Sequence, residues 1–185
     1  MLIDLTLRVT PQMIADAEGN EKKAFTGHLG THFDVMNKEF PLIYTELLGI
    51  VFDVSKVLER EIDVSDINVG AIGDAKFIAF YSGMIERETY GSVAYFKEHP
   101  QLSHTLIDTL LEKNISIIGV DFAGLRRGSE HTPKDQYCAD HGVFIVENLV
   151  NLGAGLLSNH HFTARTYPMN FSDMTGLPCR VIAVV

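Results

Sequence analysis

Six short runs of apolar and β-branched residues constrain the fold of this chain more than any other feature, because one of them lies near each terminus. The runs cover residues 2–9, 50–54, 77–81, 115–120, 143–146 and 180–185. Their length and composition are typical of β-strands. Strands near both ends of a chain of mixed α and β elements predict a closed or sandwiched sheet with helices outside it.

Two helices are predicted between these runs. The apolar residues of segment 102–111 recur at helical spacing and form one apolar face, and the segment ends at Lys113-Asn114. A second helix is predicted near residue 132, with Thr132 as N-cap and Pro133 in the first turn. The chain has 185 residues, 46% of them hydrophobic, and no linker-like or repetitive segment divides it. We therefore expect a single domain over residues 1–185 with a sizeable core.

Charge and composition exclude several classes of protein. The formal net charge is -9, and the pair Arg126-Arg127 is too small a basic spot to bind nucleic acid. The N-terminus lacks the basic region of a secretory signal, and no apolar run approaches the ~18 to 20 residues that span a bilayer. Cys138 and Cys179 are far apart in sequence and form no CxxC pair. We expect a soluble, cytoplasmic protein without disulfides.

Segment 27–34, which reads GHLGTHFD, places two imidazoles and a carboxylate close together. In a strand, His28, His32 and Asp34 would share one face. A fully extended strand would separate the two histidines by about 13 Å, which is wide for two imidazoles that bind one ion at about 2.0 Å. The chain must therefore bend at Gly30, where glycine permits it. The pattern indicates a metal site on a bent strand or loop; the alternative is two exposed histidines and a turn aspartate.

A second polar cluster surrounds Glu147, an acid inside the apolar run 145–149. Because an unpaired carboxylate is costly to bury, we expect its charge to be compensated. A bound cation, an arginine or backbone amides at a helix N-terminus would each do so. Asp135 and His141 lie upstream and could join Glu147, although His141 also fits a helix end, where a histidine caps carbonyl groups.

On these residues the chain resembles the cyclase family of metal-dependent hydrolases, whose best-known members are bacterial kynurenine formamidases, with isatin hydrolase as a relative. Segment 28–34 matches the family's HxGTHxD signature, which is fairly specific. Weaker counterparts are LIDLT at 2–6, GD at 73–74, GVD at 119–121, ENL at 147–149 and GLPCRV at 176–181. The resemblance thus spans nearly the whole chain.

The resemblance implies an α/β fold of the swivelling β/β/α type, with a β-barrel-like or sandwiched sheet core and flanking helices. It also implies a homo-oligomer, a dimer or tetramer, with zinc or manganese at the site, one or two ions per chain. By carry-over, His28, His32 and Asp34 would be metal ligands, with Asp34 able to bridge two ions. Glu147 would be a ligand from the second motif.

Two departures from the family pattern bear on the site. The signature usually continues through a proline to another histidine, where this chain has Met36 and Lys38. The family also commonly has a histidine twelve residues before its glutamate, where this chain has Asp135. With Asp34 and Glu147, Asp135 could form an oxygen-rich second site, better suited to manganese or magnesium than to zinc. Lys38 would either repel a second cation or donate a proton, unless it is a solvated surface lysine.

The expected reaction is hydrolysis of a small amide, a formamide such as N-formylkynurenine, or a lactam by metal-activated water. Glu147 or Asp34 would move the proton, and Lys38, His131 or His141 would protonate the leaving nitrogen. The expected partner is therefore a small-molecule substrate.

Two other functions stay open. If Lys38 and Asp135 abolish water activation, the chain would be a catalytically silent family member that binds a metal or small ligand. A metal-dependent lyase or dehydratase is also compatible, because a Lewis acid with a base serves elimination. Phe33, Phe40 and Tyr44 would line an aromatic-accepting pocket or belong to the core.

Overall fold

The computed structural model describes residues 1–20, 27–153, 155–157 and 160–185. The strands are β1 Leu2–Asp4, β2 His32–Asp34, β3 Glu46–Asp53, β4 Phe77–Tyr81, β5 Ile117–Val120, β6 Phe144–Glu147, β7 His161–Pro168 and β8 Gly176–Val184. The helices in these ranges are α1 Pro11–Asp16, α2 Met84–Arg87, α3 Val93–Glu98, α4 His104–Glu112 and α5 His131–Asp140. Among these described helices, none is long and apolar enough to cross a membrane.

The sheet closes on itself. Its strand order is β1-β8-β2-β6-β5-β4-β3-β7, and β7 also pairs with β8. Strands β3, β4, β5 and β6 are parallel, whereas β2, β7 and β8 close the ring by antiparallel pairing. Seven strands thus form a barrel, and β1 adds to the far part of β8. The two terminal strands predicted a closed or sandwiched sheet, and the closed form is confirmed.

Strands β4, β5 and β6 of the barrel are buried on both faces. In β4, Phe77 and Ala79 belong to the cluster inside the barrel, while Ile78 and Phe80 belong to the cluster between the barrel and the helices. Helix α4 supplies Leu106, Ile107 and Leu110 to the outer cluster, as its apolar face predicted. Strands covered on both faces have nearly continuous apolar sequences. For this reason they could be predicted from the sequence.

Two elements differ from their prediction. Strand β7 has no apolar run: its residues alternate between buried and more exposed positions, with Phe162, Ala164 and Thr166 buried. A half-buried strand with polar residues on one face gives a weak signal. Helix α5 begins at His131, with Glu130 as its N-cap, so the prediction of Thr132 as N-cap is wrong. This shift puts His131 inside the first helical turn.

A buried histidine outside the barrel makes the stability of this fold depend on pH. His99 is 1% exposed and stacks on Phe122, and its Nδ1 lies 2.7 Å from the carbonyl oxygen of Pro100. Burial disfavours the charged imidazole and lowers its pKa from 6.5 to about 4. Above pH 6.5 both the folded and the unfolded state hold a neutral His99. Between pH 6.5 and about 4 only the unfolded state takes up the proton, so the free energy of unfolding falls on acidification.

We expect the His99→Gln variant to lose this part of the pH dependence. Between pH 7 and pH 4, the free energy of unfolding of the wild type should fall by about 3 kcal/mol more than that of the variant. Urea unfolding across this range measures the difference. The exposed His161 provides the control, since His161→Gln should follow the wild type. Parallel pH profiles of His99→Gln and the wild type would contradict the assignment.

Candidate metal centre

The first group of potential ligands lies on a sharp bend before strand β2. Gly30 has a φ of 73°, in the region that glycine adopts without strain. The bend brings the His28 and His32 rings to 4.9 Å between centroids, and His28 Nε2 lies 3.1 Å from Asp34 Oδ1. The chain therefore bends where the ligand spacing required it.

The register of the barrel brings Glu147 to the same place. In the antiparallel pairing of β2 with β6, His32 lies opposite Glu147, and directly opposed residues share one face of a sheet. His32 Nε2 is 3.5 Å from Glu147 Oε2. Phe33 points into the barrel, so His32 and Asp34 project from its outer face. The site thus lies between the barrel wall and the helices.

The first turns of helix α5 complete the cluster. His131 Nε2 lies 3.1 Å from Asp135 Oδ2 and 3.5 Å from Glu147 Oε1. Ligand atoms of Asp34, His131 and Asp135 lie within 4.8 Å of one another, as do those of His28, His32 and Asp34. Asp34 therefore belongs to both groups.

Burial sets the protonation states of the first group. Burial by itself raises the pKa of Asp34, but the hydrogen bond from His28 and the charges of His32, His28 and His131 outweigh it and lower this pKa to about 2. Burial lowers the pKa of His32, although the charge of Asp34 opposes the shift. An ionised carboxylate beside a neutral imidazole is the state that binds a metal ion.

The donor atoms fit a divalent cation. His32 Nδ1 lies 2.9 Å from the carbonyl oxygen of Gly30, which fixes this nitrogen as the donor and leaves a lone pair on Nε2. Among the described residues, His32 Nε2 and Asp34 Oδ2 are buried without a hydrogen-bond partner. Buried polar atoms normally have partners, so these two atoms are suited to bind a cation. Two imidazoles and a carboxylate are a donor set typical of zinc and related ions.

The sequence profile of the family described as "Putative cyclase" matches residues 3–125, well over half of the chain. The chain belongs to the cyclase family. This membership confirms the resemblance of the motifs. The matched part contains His28, His32 and Asp34 and ends before helix α5.

Solved structures share the fold of this cyclase-family protein over nearly its full length. A potential metal-dependent hydrolase with cyclase activity has a TM-score of 0.74 at 22% identity, covering 99% of this chain and 96% of its own. Isatin hydrolase A from Ralstonia solanacearum has a TM-score of 0.74 at 17% identity, covering 100% and 92%. A predicted metal-dependent hydrolase from Bacillus stearothermophilus has a TM-score of 0.71 at 19% identity, covering 99% and 97%. At these identities the likeness shows the fold, and it confirms the predicted cyclase-family architecture. No curated protein sequence matches this chain.

Behind the cyclase-family motif, a chain of buried hydrogen bonds holds His32 in place. The carbonyl oxygen of Gly30 accepts from His32 Nδ1 and, at 2.9 Å, from Asn148 Nδ2. Asn148 Oδ1 accepts from the Tyr95 hydroxyl at 2.7 Å. The Thr31 hydroxyl donates to the Asn148 carbonyl oxygen at 2.8 Å. Asn148 thus ties the Gly30 bend to strand β6 and helix α3.

Sequence reasoning missed Tyr95 and Tyr90. The Tyr90 hydroxyl accepts a hydrogen bond from the Gly30 amide at 2.9 Å, and burial together with the Glu147 charge raises its pKa. Both tyrosines lie between predicted elements, and nothing in their local pattern indicates a partner more than 50 positions away. The only sequence signal for this hydrogen-bond network was Asn148, within the ENL motif.

The structure pairs Lys38 with a residue outside the cluster. Lys38 Nζ lies 2.7 Å from Asp140 Oδ1, and its side chain is 39% exposed. In the described part of the chain, no ion pair joins Lys38 to the candidate ligands. This placement gives no support to Lys38 as a catalytic residue and agrees with the surface-lysine alternative. His141 lies beyond the C-terminal end of helix α5, with Nδ1 2.8 Å from the Tyr137 carbonyl oxygen, as a capping role predicted.

An apolar cavity lies beside the His28 segment. Its volume is about 600 Å³, and its walls include Val9, Ile14, Leu29, Phe171, Met174 and Pro178. The aromatic residues that sequence reasoning considered lie elsewhere: Phe40 packs on Phe33 and Phe144 in the inner cluster. These aromatic residues therefore belong to the core and do not line this cavity.

Proposed function

We propose that this cyclase-family protein is a metal-dependent hydrolase that opens a small lactam or hydrolyses a formamide. The observation that carries the proposal is the pair of buried acceptor atoms, His32 Nε2 and Asp34 Oδ2, without hydrogen-bond partners among the described residues. His28, His32, Asp34 and Glu147 would hold zinc or manganese, with Asp135 as a further ligand. A divalent cation held there would polarise an amide carbonyl and lower the pKa of a water molecule to near 7.

The protein's own residues would manage the proton and the orientation of the substrate. Glu147 has one carboxylate oxygen 3.5 Å from His32 Nε2 and the other 3.5 Å from His131 Nε2. From this position it can accept the proton of an attacking water and return it to the leaving nitrogen. Water then adds across the amide bond: the hydroxyl goes to the carbonyl carbon, the proton goes to nitrogen, and the C–N bond breaks.

The apolar cavity supports a substrate with a ring. Leu29 and Gly27, which flank His28 in sequence, are among its lining residues, whereas the candidate ligands themselves are not. Apolar walls with a few polar groups at one end are typical of pockets for small aromatic ligands. Isatin, a bicyclic lactam, and N-formylkynurenine are therefore the two substrates to test first.

The test uses protein stripped of metal by a chelator and reloaded with Zn²⁺ or Mn²⁺. We expect reloading to restore hydrolysis of at least one of the two substrates and one oxygen atom from H₂¹⁸O to enter the product. Stoichiometric metal binding without turnover of either compound would instead support the silent, ligand-binding member. A product without solvent oxygen would support the lyase. Turnover that persists without metal would contradict the proposed chemistry.

A further inference from the structure

Helix α5 presents two potential ligands where the family commonly has one histidine. Asp135 stands at the position of that histidine, twelve residues before Glu147, and His131 precedes it by four residues. Residues i and i+4 of a helix lie on the same face. His131 Nε2 is accordingly 3.1 Å from Asp135 Oδ2, and both side chains face Asp34.

We infer that His131 and Asp135 together replace the family's single helix histidine and form, with Asp34 and Glu147, a second cation position that favours Zn²⁺ over Mn²⁺ less strongly than the first position does. This inference rests on the proposed function, because the two positions would share Asp34. Compared with the family pattern, the imidazole of this chain lies one helical turn earlier, at His131. A carboxylate, Asp135, occupies the position of the family's histidine.

The loop before the helix has the space that this imidazole requires. Gly124 has a φ of 103°, and a Cβ at this position would lie 2.5 and 2.6 Å from two atoms of the His131 ring. The same Cβ would lie 3.1 Å from Glu147 Oε1. Any other residue at position 124 would therefore displace His131 from Glu147. The absence of a side chain at Gly124 allows the ring to enter the cluster.

The start of the helix is held in place by a buried arginine. Arg126 is 5% exposed, and its guanidinium donates to Glu130 Oε2 at 2.8 Å, to Glu61 Oε1 at 2.7 Å and to the Leu102 carbonyl oxygen at 2.8 Å. Glu130 directly precedes His131. A rigid anchor one residue away limits the orientations of the ring, which is what a metal ligand needs.

The charge of the cluster also favours cation binding. The side chains of Asp34, Asp135 and Glu147 are 2%, 2% and 5% exposed, so three carboxylates are buried close together. Asp34 Oδ1 faces His28 and His32, while Oδ2 is buried without a hydrogen-bond partner among the described residues. Asp34 can therefore offer one oxygen to each position. Burying carboxylates at this density is costly unless opposite charges offset theirs.

The two positions differ in ligand chemistry. The first has two imidazoles, from His28 and His32, which suit Zn²⁺. The second has one imidazole and three carboxylates, and carboxylate oxygen reduces the advantage in affinity that Zn²⁺ has over Mn²⁺ at sites richer in nitrogen. A chain with the family's usual histidine in place of Asp135 would make the two positions more alike.

Counting metal ions on variants of the full chain tests this inference. Metal-free protein is loaded with Mn²⁺, excess ion is removed, and bound metal per chain is measured by elemental analysis together with Mn²⁺ electron paramagnetic resonance. We expect about two ions per wild-type chain, spin-coupled because they share Asp34. His131→Ala should keep about one uncoupled ion. His141→Ala, a histidine at the other end of the same helix, should keep both.

Two further variants separate loss of the ligand from loss of the fold. Gly124→Ala leaves every ligand in the chain but displaces the His131 ring, so it should also bind about one ion. Asp135→His should keep two ions and raise the affinity of the second position for Zn²⁺ relative to Mn²⁺, by about tenfold in a competition between the two ions. Circular dichroism verifies that each variant is folded.

The outcomes distinguish this inference from the proposed function. If His131→Ala binds as many ions as the wild type, or if the wild type binds one ion and still hydrolyses a substrate, only the second position is wrong. If the wild type binds no metal at all, both the second position and the proposed function fail. An unchanged ion preference in Asp135→His would overturn the assignment of Asp135.

Discussion

His32→Ala is expected to abolish metal binding at the first position, and hydrolysis with it. His32 is 2% exposed, its Nδ1 is held by the Gly30 carbonyl oxygen, and its Nε2 faces Asp34 and Glu147. The variant would lose the most rigidly oriented ligand of the first position. Because removing a residue that merely supports a ligand costs 10- to 100-fold in metal affinity, we expect removal of the ligand itself to cost at least about 100-fold.

Elemental analysis and a substrate assay on the same samples measure this effect. The fold should survive, since Asn148 still donates to the Gly30 carbonyl oxygen when the imidazole is gone. His104→Ala, an exposed histidine at the start of helix α4, should retain both metal and turnover. A His32→Ala protein with wild-type metal content would show that the proposed ligands are wrong.

Asn148→Ala is expected to cause the largest loss of stability among the changes considered. Asn148 accepts from the buried Tyr95 hydroxyl and donates to the Gly30 carbonyl oxygen, and its φ of 59° is unfavourable for alanine. A buried hydroxyl without a partner costs about 1 to 3 kcal/mol, and the left-handed backbone adds about 1 kcal/mol. The free energy of unfolding should fall by about 3 kcal/mol, measured by urea denaturation.

Asn151 provides a matched control for this variant. It has a φ of 60° and is exposed, with its side-chain amide donating to the Asp4 carbonyl oxygen. Asn151→Ala should therefore cost little more than the backbone contribution of about 1 kcal/mol. Asn148→Gly should recover that contribution without restoring the buried hydrogen bonds. Equal losses in Asn148→Ala and Asn151→Ala would show that the contacts with Tyr95 and Gly30 contribute nothing.

Asn148→Ala should also weaken metal binding. The Gly30 carbonyl oxygen orients the His32 ring, and Asn148 holds this carbonyl group from the opposite side. Residues that support a ligand in this way typically change metal affinity by about 10- to 100-fold. A titration of the metal-free variant with Zn²⁺ measures the change, and Asn151→Ala serves again as the control.

Much of the fold could be predicted because local pattern and tertiary environment agree. The runs that became β4, β5 and β6 lie in a barrel wall covered on both faces, so their environment is uniformly apolar and so is their sequence. Strand β7 escaped prediction because only alternate residues are buried. The start of helix α5 was misplaced because Thr132-Pro133 looks like a helix N-terminus, whereas the turn at Gly128–Glu130 leads into the helix at His131.

The candidate site, like the fold, could be predicted only in part from the sequence. His28, His32 and Asp34 could be grouped from sequence, because they lie within seven residues and backbone geometry alone requires a bend between the histidines. Glu147 is 115 positions from His32, and only the pairing of β2 with β6 brings the two together. Both His131 and Lys38 were candidate proton donors, because neither spacing nor composition indicates which long side chain will find a partner at the surface.

The sequence by itself determined the ligand types, the bend at Gly30 and a closed or sandwiched sheet with strands near both termini. These are local properties: side-chain chemistry, the conformational freedom of glycine and the periodicity of burial act over a few residues. Only the tertiary structure decided that His131 and Asp135 face Asp34, that Asn148 supports His32, and that Lys38 pairs with Asp140. Those contacts join segments far apart in the chain, and their formation depends on barrel register and on the residue at which helix α5 begins.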